Sequence, residues 1–234
     1  MLSRMSLLLA AITLLGTGAF GQAPTCGIKC GQERWAIKTL TDNDAATVGT
    51  AVPQDTTVTT LIGETAPAKL TDTRVPLEKQ RFHLTALIIG WKIEAATAAE
   101  NFAKKASEST SVPDHDFHIV IADPNNTNNQ MIMEVPDPEC EAVCSSKFLA
   151  QISQVRKEVS SRLGTPTDAV QPLSKPWFVE ITGPAFFDFP HGQDGLAKNC
   201  IEIHPVMEIT FVKQQGSEVK PHKASDLKHI CGKR

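Results

Sequence analysis

Two polar clusters of the chain contain side chains that can bind metal ions or transfer protons. The first lies in the segment Asp-His-Asp-Phe-His, and the second combines Asp-Phe-Pro-His-Gly-Gln with a later Glu-Ile-His. The candidate residues of a binding cleft are Asp114, Asp116, His118, Asp188, His191, Gln193, Glu202 and His204. Imidazole and carboxylate groups ligate divalent metals and act as general acids and bases. The clusters therefore indicate either metal binding or proton transfer.

A structural role for the same residues is the competing interpretation. Histidine and aspartate near strand ends commonly satisfy backbone hydrogen bonds. Asp116, His118 and His191 are the candidate metal ligands, but their spacing matches no defined motif. The chain also lacks a G-x-S-x-G elbow, a P-loop, an H-E-x-x-H helix and a dinucleotide fingerprint. We therefore predict no resident metal and no cofactor, and leave catalysis undecided.

Five predicted strands and one principal helix have to position these clusters. β-Branched and aromatic residues predict the strands, at residues 82–93, 116–122, 131–135, 177–182 and 200–211. Gly90, inside the first strand, predicts a bulge or bend. Apolar residues repeat on one helical face over residues 145–163, with Ser145 or Ser146 as the cap and Gly164 as the stop. Residues 56–62 are a candidate edge strand between Pro53 and Gly63, within a region interpreted as an arm packed on the main domain.

The order of these elements predicts a mainly β fold of the α+β class. A helix between the third and fourth strands is the order of the OB-fold, so we predict an OB-like five-stranded barrel with an N-terminal arm. Another five-stranded α+β arrangement is the alternative. In an OB barrel the two clusters border one cleft. Strand alternation points Asp116 and His118 outward, away from Phe117 and Ile119, and it points Glu202 and His204 outward in the same way.

The first residues have the pattern of a cleaved signal peptide. Arg4 precedes an apolar run too short to span a bilayer, and the small residues Ala19 and Gly21 form a candidate cleavage site. The predicted organisation is a signal peptide (1–21), an N-terminal arm packed on the main domain (22–80), an OB-like domain (81–212) and a polar tail (213–234). We expect a secreted or periplasmic protein without a stable membrane span.

Charge and cysteine usage limit the partners and the compartment. Without Arg4 the chain has 22 basic and 26 acidic residues, so nucleic acid is not favoured as a partner. An unknown ligand or envelope partner is expected instead. An even number of cysteines in an exported chain favours disulfides over zinc and leaves the connectivity open. The disulfide candidates are Cys26, Cys30, Cys140, Cys144, Cys200 and Cys231.

Several stretches resemble a family of uncharacterised exported bacterial proteins. The shared motifs are Asp-Phe-His-Ile-Val-Ile-Ala-Asp-Pro from Asp116, Phe-Phe-Asp-Phe-Pro-His-Gly-Gln from Phe186, and Ile-Glu-Ile-His-Pro-Val from Ile201. The resemblance covers most of the chain after residue 21 and implies the domain limits, but no activity. A looser likeness to thermonuclease-type OB enzymes rests on the element order and the acidic start of the second strand. The arginine and glutamate typical of such enzymes are not evident at matching positions.

Three functional hypotheses remain open at this stage. The first is a ligand- or partner-binding OB-like module. The alternative is a metal-dependent hydrolase, nuclease-like or phosphodiesterase-like, that uses Asp116, His118, Asp188 and His191. The third is a structural envelope protein in which the polar residues have no specific role.

Overall fold

The structure is a computed structural model that describes residues 26–31, 33–94, 115–189, 193–212 and 227. Over these residues the chain forms short helices and one long helix beside a sheet. The helices are α1 (Trp35–Lys38), α2 (Ala45–Thr50), α3 (Val58–Leu61), α4 (Glu141–Ser145), α5 (Leu149–Leu163) and a 3-10 turn (Pro76–Lys79). The strands are β1 (Gln54–Asp55), β2 (Arg81–Ile93), β3 (Phe117–Asp123), β4 (Asn126–Val135), β5 (Gln171–Phe187), β6 (Ile201–Ile203) and β7 (Glu208–Phe211).

Five of the strands form a ring of backbone pairings. β2 pairs with β3, β3 with β4, β4 with β6, β6 with β5, and β5 returns to β2. The β4–β6 pair is parallel, and the other pairs of the ring are antiparallel. β1 and β7 extend the sheet to seven strands in the order β1-β2-β3-β4-β6-β5-β7. The predicted α+β class with a dominant sheet is confirmed.

Alternation along the strands separates two apolar clusters. Phe117, Ile119 and Ile121 of β3 belong to the main core, where Ile152 and Val155 of α5 also pack. Val120 and Ala122 face the other side of the sheet and form a small second cluster. Because neighbouring strand residues point to opposite faces, β3 is buried on both sides. The bulge predicted at Gly90 is confirmed by a register shift between Ile88 and Gly90.

The segment before β2 shares the main core of the ring. Leu40, Val48, Val58 and Leu61 are buried in the same apolar cluster as the strands. The candidate edge strand over residues 56–62 is not formed, because Thr57 caps helix α3 by accepting a hydrogen bond from the Thr60 amide. The predicted domain limits are not tested and stay a prediction.

Other element boundaries also differ from the prediction, and the third and fourth strands begin earlier, at Asn126 and Gln171. The helix predicted over 145–163 is broken at Ser146, whose hydroxyl accepts from the Phe148 amide and donates to the Leu40 carbonyl. The fourth strand continues to Phe187, since its second half is apolar and pairs with β6. The last strand is split into β6 and β7 around Pro205, which has no amide to donate to a ladder. The His204–Pro205 peptide bond is cis.

Two disulfides connect the start of the described chain to α4. Cys26 bonds Cys144 and Cys30 bonds Cys140, which confirms disulfides at these candidates. Cys200 is also disulfide-bonded, whereas Cys231 lies outside the described residues. Disulfides are typical of an oxidising, extracellular environment. None of the helices in the described ranges is long and apolar enough to cross a membrane. The predicted signal peptide and the tail from residue 213, apart from residue 227, lie outside these ranges.

Candidate functional site

Strand register brings the polar side chains together on the face of the sheet opposite the main core. His118 of β3 lies directly across from Glu134 of β4 and, on its other side, from Lys92 of β2. Glu202 of β6 is beside Ile132 of β4, so it approaches Glu134 from the neighbouring strand. Asp116 and His204 flank β3 and β6. The six residues Glu94, Asp116, His118, Glu134, Glu202 and His204 are called the buried centre below.

The centre is enclosed, which differs from the expected outward orientation to solvent. Asp116, His118 and His204 are 0% exposed, and Glu202 is 1% exposed. Alternation points His118 away from the main core as expected, but the loop after residue 193 covers that side. A Cβ atom on Gly195 would lie 2.4 Å from Val120 Cγ1, so only a glycine lets this loop lie so close. Sequence alternation does not reveal such a cover.

His118 directs one ring nitrogen at two carboxylates. Its Nε2 lies 2.9 Å from the Asp194 carbonyl oxygen, and because a carbonyl only accepts, Nε2 carries the proton and donates. Its Nδ1 lies 3.0 Å from Glu94 Oε1 and 3.1 Å from Glu134 Oε1. In a neutral ring Nδ1 is then a bare lone pair facing two acceptor oxygens. A proton or a metal ion has to lie on that side.

His204 is surrounded by carboxylates on both sides of its ring. Its Nδ1 is 3.1 Å from Glu134 Oε2 and 3.1 Å from Glu202 Oε1. Its Nε2 is 3.4 Å from Asp116 Oδ2. Within the described part of the chain, His204 Nε2, Asp116 Oδ2 and Glu202 Oε2 are buried without a hydrogen-bond partner. Buried polar atoms without protein partners are unusual, and an ordered water molecule or an ion can satisfy them.

Charge balance within the centre depends on the state of the two imidazoles. Glu94, Asp116, Glu134 and Glu202 supply four carboxylates, and Asp188 beside them supplies a fifth. Two lysines oppose them. Lys38 Nζ lies 3.2 Å from Asp188 Oδ2, and Lys92 Nζ lies 2.8 Å from Glu94 Oε1. With neutral imidazoles and every carboxylate ionised, the group would have a net charge of −3, which a buried site keeps only when protons or metal ions neutralise it.

The pKa values of the two histidines show the strength of this field. Burial acts to lower the pKa of His118, but Glu134 and Glu94 raise it to about 10. Burial also opposes the charged form of His204, yet Asp116, Glu134 and Glu202 raise the pKa of His204 well above its ordinary value. Without another cation, both rings therefore hold protons at neutral pH.

The carboxylates of the centre are shifted in opposite directions. Burial acts to raise the pKa of Glu134, but His118 and His204 hold that pKa well below its ordinary value. Burial and the neighbouring Glu134 raise the pKa of Glu202 to about 8. Burial also raises the pKa of Asp116 despite its contact with His204. Glu134 is therefore the permanent anion between the two rings.

The predicted site residues divide into three groups. The structure brings Asp116, His118, Glu202 and His204 into one centre. Gln193 touches its edge, with Nε2 3.3 Å from Glu94 Oε1. Asp188 lies outside it, in an ion pair with Lys38 beside the Phe186 ring. Asp114 and His191 lie outside the described residues.

Sequence reasoning missed Glu94, Glu134, Lys38 and Lys92. The signal for Glu134 was present, because Met131, Met133 and Val135 alternate with it and are core residues. Pairing the second and third strands places Glu134 opposite His118. Glu94 and Lys38 are brought to this region by contacts between residues distant in the sequence, which no local sequence pattern indicates.

Two overlapping sets of the centre offer metal ligands. The ligand atoms of Glu94, His118 and Glu134 lie within 4.8 Å of one another, and so do those of Asp116, Glu134 and His204. Glu134 belongs to both sets. Beyond Asp188, a separate cavity of about 380 Å³ is lined by Phe187, Phe189, Lys69 and Leu70 among others.

Comparison with protein-family models, curated proteins and solved structures finds no match to this chain.

Proposed function

We propose that this protein is an exported binding module whose ligand is a divalent transition-metal ion held in the buried centre. One observation carries the proposal: each histidine directs Nδ1 at two carboxylate oxygens, in both cases at 3.0–3.1 Å. For His118, Nε2 already donates to the Asp194 carbonyl. Metal-ligating histidines characteristically donate their second nitrogen to a backbone carbonyl in this way.

The distances suit ligands that share an ion. Metal–nitrogen and metal–oxygen bonds are about 2.0–2.2 Å long, so neighbouring ligand atoms at tetrahedral or octahedral angles are roughly 2.9–3.5 Å apart. The Nδ1–oxygen separations of both histidines fall in that interval. Mixed imidazole and carboxylate donors suit zinc, iron and manganese. An all-oxygen site for calcium or magnesium would not use the imidazoles.

Two imidazolium ions held by hydrogen bonds are the competing explanation. They also neutralise the carboxylates, and they need no metal. They leave Glu202 Oε2 buried without a hydrogen-bond partner in the described structure. An ion at Nδ1 of His204, which Glu202 already faces through Oε1, can take Oε2 as a further ligand. This difference favours the metal.

Equilibrium dialysis against Zn²⁺ or Mn²⁺, followed by elemental analysis, tests the proposal. Wild-type protein treated with chelator and then dialysed against micromolar metal is expected to retain metal. A His118→Asn/His204→Asn double variant is expected to lose at least about 100-fold in affinity. His83→Asn is the matched control, because His83 pairs with Asp55 at the surface.

Two results overturn the proposal. One is wild-type protein that binds no metal above the background of an unrelated protein. The other is metal binding that the His118→Asn/His204→Asn double variant retains with the affinity of the His83→Asn control. Near-UV circular dichroism establishes that each variant is folded before its affinity is compared.

The finer features of fold and location belong to the same proposal. The helix between the third and fourth strands of the ring, and the bulge at Gly90, support an OB-like arrangement. The disulfides support export, with residues 1–21 as the signal peptide. N-terminal sequencing of the protein recovered outside the cytoplasm tests the cleavage. A mature chain that still begins at Met1 contradicts it.

A metal-dependent hydrolase, nuclease-like or phosphodiesterase-like, is our second proposal. The cavity beside Asp188 favours it, because Asp188 is linked through Lys38 and Phe186 to His204. A metal ion in the centre would supply the acidified water that such a reaction needs. The test substrates are single-stranded DNA, double-stranded DNA and an aryl phosphodiester. Hydrolysis of any of them that requires Mn²⁺ or Zn²⁺ and stops when chelator is added supports the proposal. Metal-loaded protein without turnover on all three substrates contradicts it.

A further inference from the structure

We propose that the buried centre holds two divalent metal ions, and that Glu134 bridges them. This inference rests on the metal-binding function proposed above and specifies its ligand as a pair of ions. It follows from the placement of one carboxylate between two imidazoles.

The two oxygens of Glu134 face different histidines. Oε1 lies 3.1 Å from His118 Nδ1, and Oε2 lies 3.1 Å from His204 Nδ1. Glu134 is 2% exposed, and backbone pairing fixes it opposite His118. A carboxylate that serves one ion would direct one or both oxygens at the same nitrogen. Here each oxygen belongs to a different histidine, as in a bridge.

Each half of the centre has a terminal carboxylate of its own. In the His118 half, Glu94 Oε1 is 3.0 Å from Nδ1. In the His204 half, Glu202 Oε1 is 3.1 Å from Nδ1. Asp116 lies on the other side of the His204 ring, with Oδ2 3.4 Å from Nε2, where it would orient the ring and not ligate an ion at Nδ1. Either half can therefore hold an ion with its own imidazole and its own carboxylate.

The donor set and its charge agree with two ions. The centre combines four carboxylates with two imidazoles, which is the donor inventory of di-iron and di-manganese carboxylate proteins. Lys38 balances Asp188 and Lys92 offsets one of the four carboxylates of the centre, so three negative charges remain when both rings are neutral and every carboxylate is ionised. One divalent ion leaves a net charge of −1 and two leave +1, so the charge of the centre permits a second ion.

The halves differ in how completely their atoms are paired. In the His118 half, Lys92 and Gln193 already contact Glu94 Oε1, so an ion has to compete with them for this oxygen. In the His204 half, Glu202 Oε2 has no hydrogen-bond partner within the described chain and is open to an ion. We expect this half to fill first as metal is added.

Manganese titration of the chelator-treated full chain tests the pair. Dialysis with elemental analysis counts the ions, and low-temperature electron paramagnetic resonance shows whether they are coupled. Wild-type protein is expected to bind two Mn²⁺ per chain and to give an exchange-coupled spectrum at saturation. Glu94→Gln and Glu202→Gln are each expected to bind one Mn²⁺ with an isolated-ion spectrum. Glu134→Gln is expected to lose the coupling and at least about 10-fold in affinity for both ions.

The outcomes separate this inference from the function on which it rests. One Mn²⁺ per wild-type chain with an isolated-ion spectrum overturns the pair and leaves metal binding intact. No bound Mn²⁺ or Zn²⁺ overturns both. Two bound ions whose coupling survives in Glu134→Gln overturn the role of Glu134. The wild-type measurements need no variant, so a variant that fails to fold does not affect them.

Discussion

Metal binding at neutral pH should release protons from the buried centre. Carboxylates raise the pKa of His118 to about 10, so the metal-free ring is protonated at pH 7. The pKa of His204 is raised well above its ordinary value too. A histidine ligates a metal only after losing the proton from the ligating nitrogen. Each filled half therefore displaces one imidazole proton.

The expected release follows from counting these groups. Two filled halves release about two protons, and Glu202, whose pKa is about 8, adds up to one more. The total at pH 7 is then about two to three protons per chain. By linkage, each released proton makes the apparent metal affinity fall about tenfold for each pH unit of acidification. The release declines as the pH rises through about 10, where metal-free His118 is already neutral.

Isothermal titration calorimetry measures this number directly. Titrations at one pH in buffers with different ionisation enthalpies give the proton count from the slope of the heat against that enthalpy. His118→Asn should lower the count by about one proton, whereas His83→Asn should leave it unchanged. A binding heat with fewer than about 0.5 released protons in the wild-type protein would refute the argument, because the imidazoles would not be the ligands.

Three further predictions concern stability. Replacing both cysteines of the Cys30–Cys140 bridge by serine should lower the free energy of unfolding by about 2–3 kcal/mol, because the intact Cys26–Cys144 bridge leaves it only a short loop to close. Removing both bridges should lower it by about 7 kcal/mol in total. Urea unfolding that shows equal losses for the first and the second bridge would contradict this. Gly195→Ala, at φ +82°, should lower the free energy of unfolding by about 1–3 kcal/mol, because the new methyl group collides with Val120. It should also weaken metal binding at the adjacent His118 half. An unchanged melting temperature would contradict the close approach of the two residues. Burial acts to raise the pKa of Asp123, but donated hydrogen bonds hold it below its ordinary 3.8, so Asp123→Asn should lose about 1–3 kcal/mol at pH 7. This loss becomes smaller as the pH falls through the folded pKa of Asp123, because protonation removes the same stabilisation from the wild-type protein. Urea unfolding of wild type and variant at pH 7 and at pH 3 measures the difference.

Local patterns in the sequence were sufficient to predict most of the sheet. Apolar alternation marked β2 and β3, and the helical repeat of Ile152, Val155 and Val159 marked α5. Where predictions failed, a side chain or a distant contact determined the outcome. Thr57 caps a helix where alternation suggested a strand. Ser146 breaks the long helix because its hydroxyl also bonds the distant Leu40 carbonyl.

The candidate centre was only half predictable for a similar reason. Asp116, His118, Glu202 and His204 were evident from their residue types in the sequence. Their burial was not, because it depends on a loop that only a glycine at 195 allows to approach Val120. Glu94 enters through a backbone bond from its own amide to the Asp116 carbonyl, 2.8 Å long. A one-dimensional pattern contains no trace of that contact.

Anomalous X-ray diffraction from crystals soaked in Zn²⁺, recorded above and below the zinc edge, shows whether metal occupies the buried centre. Anomalous peaks are expected about 2.0–2.2 Å from the Nδ1 atoms of His118 and His204, with Glu134 contacting both. Zinc-free density in which Nδ1 of His118 stays hydrogen-bonded to Glu94 and Glu134 at about 3 Å, under metal concentrations that saturate an exposed surface site, would contradict this expectation.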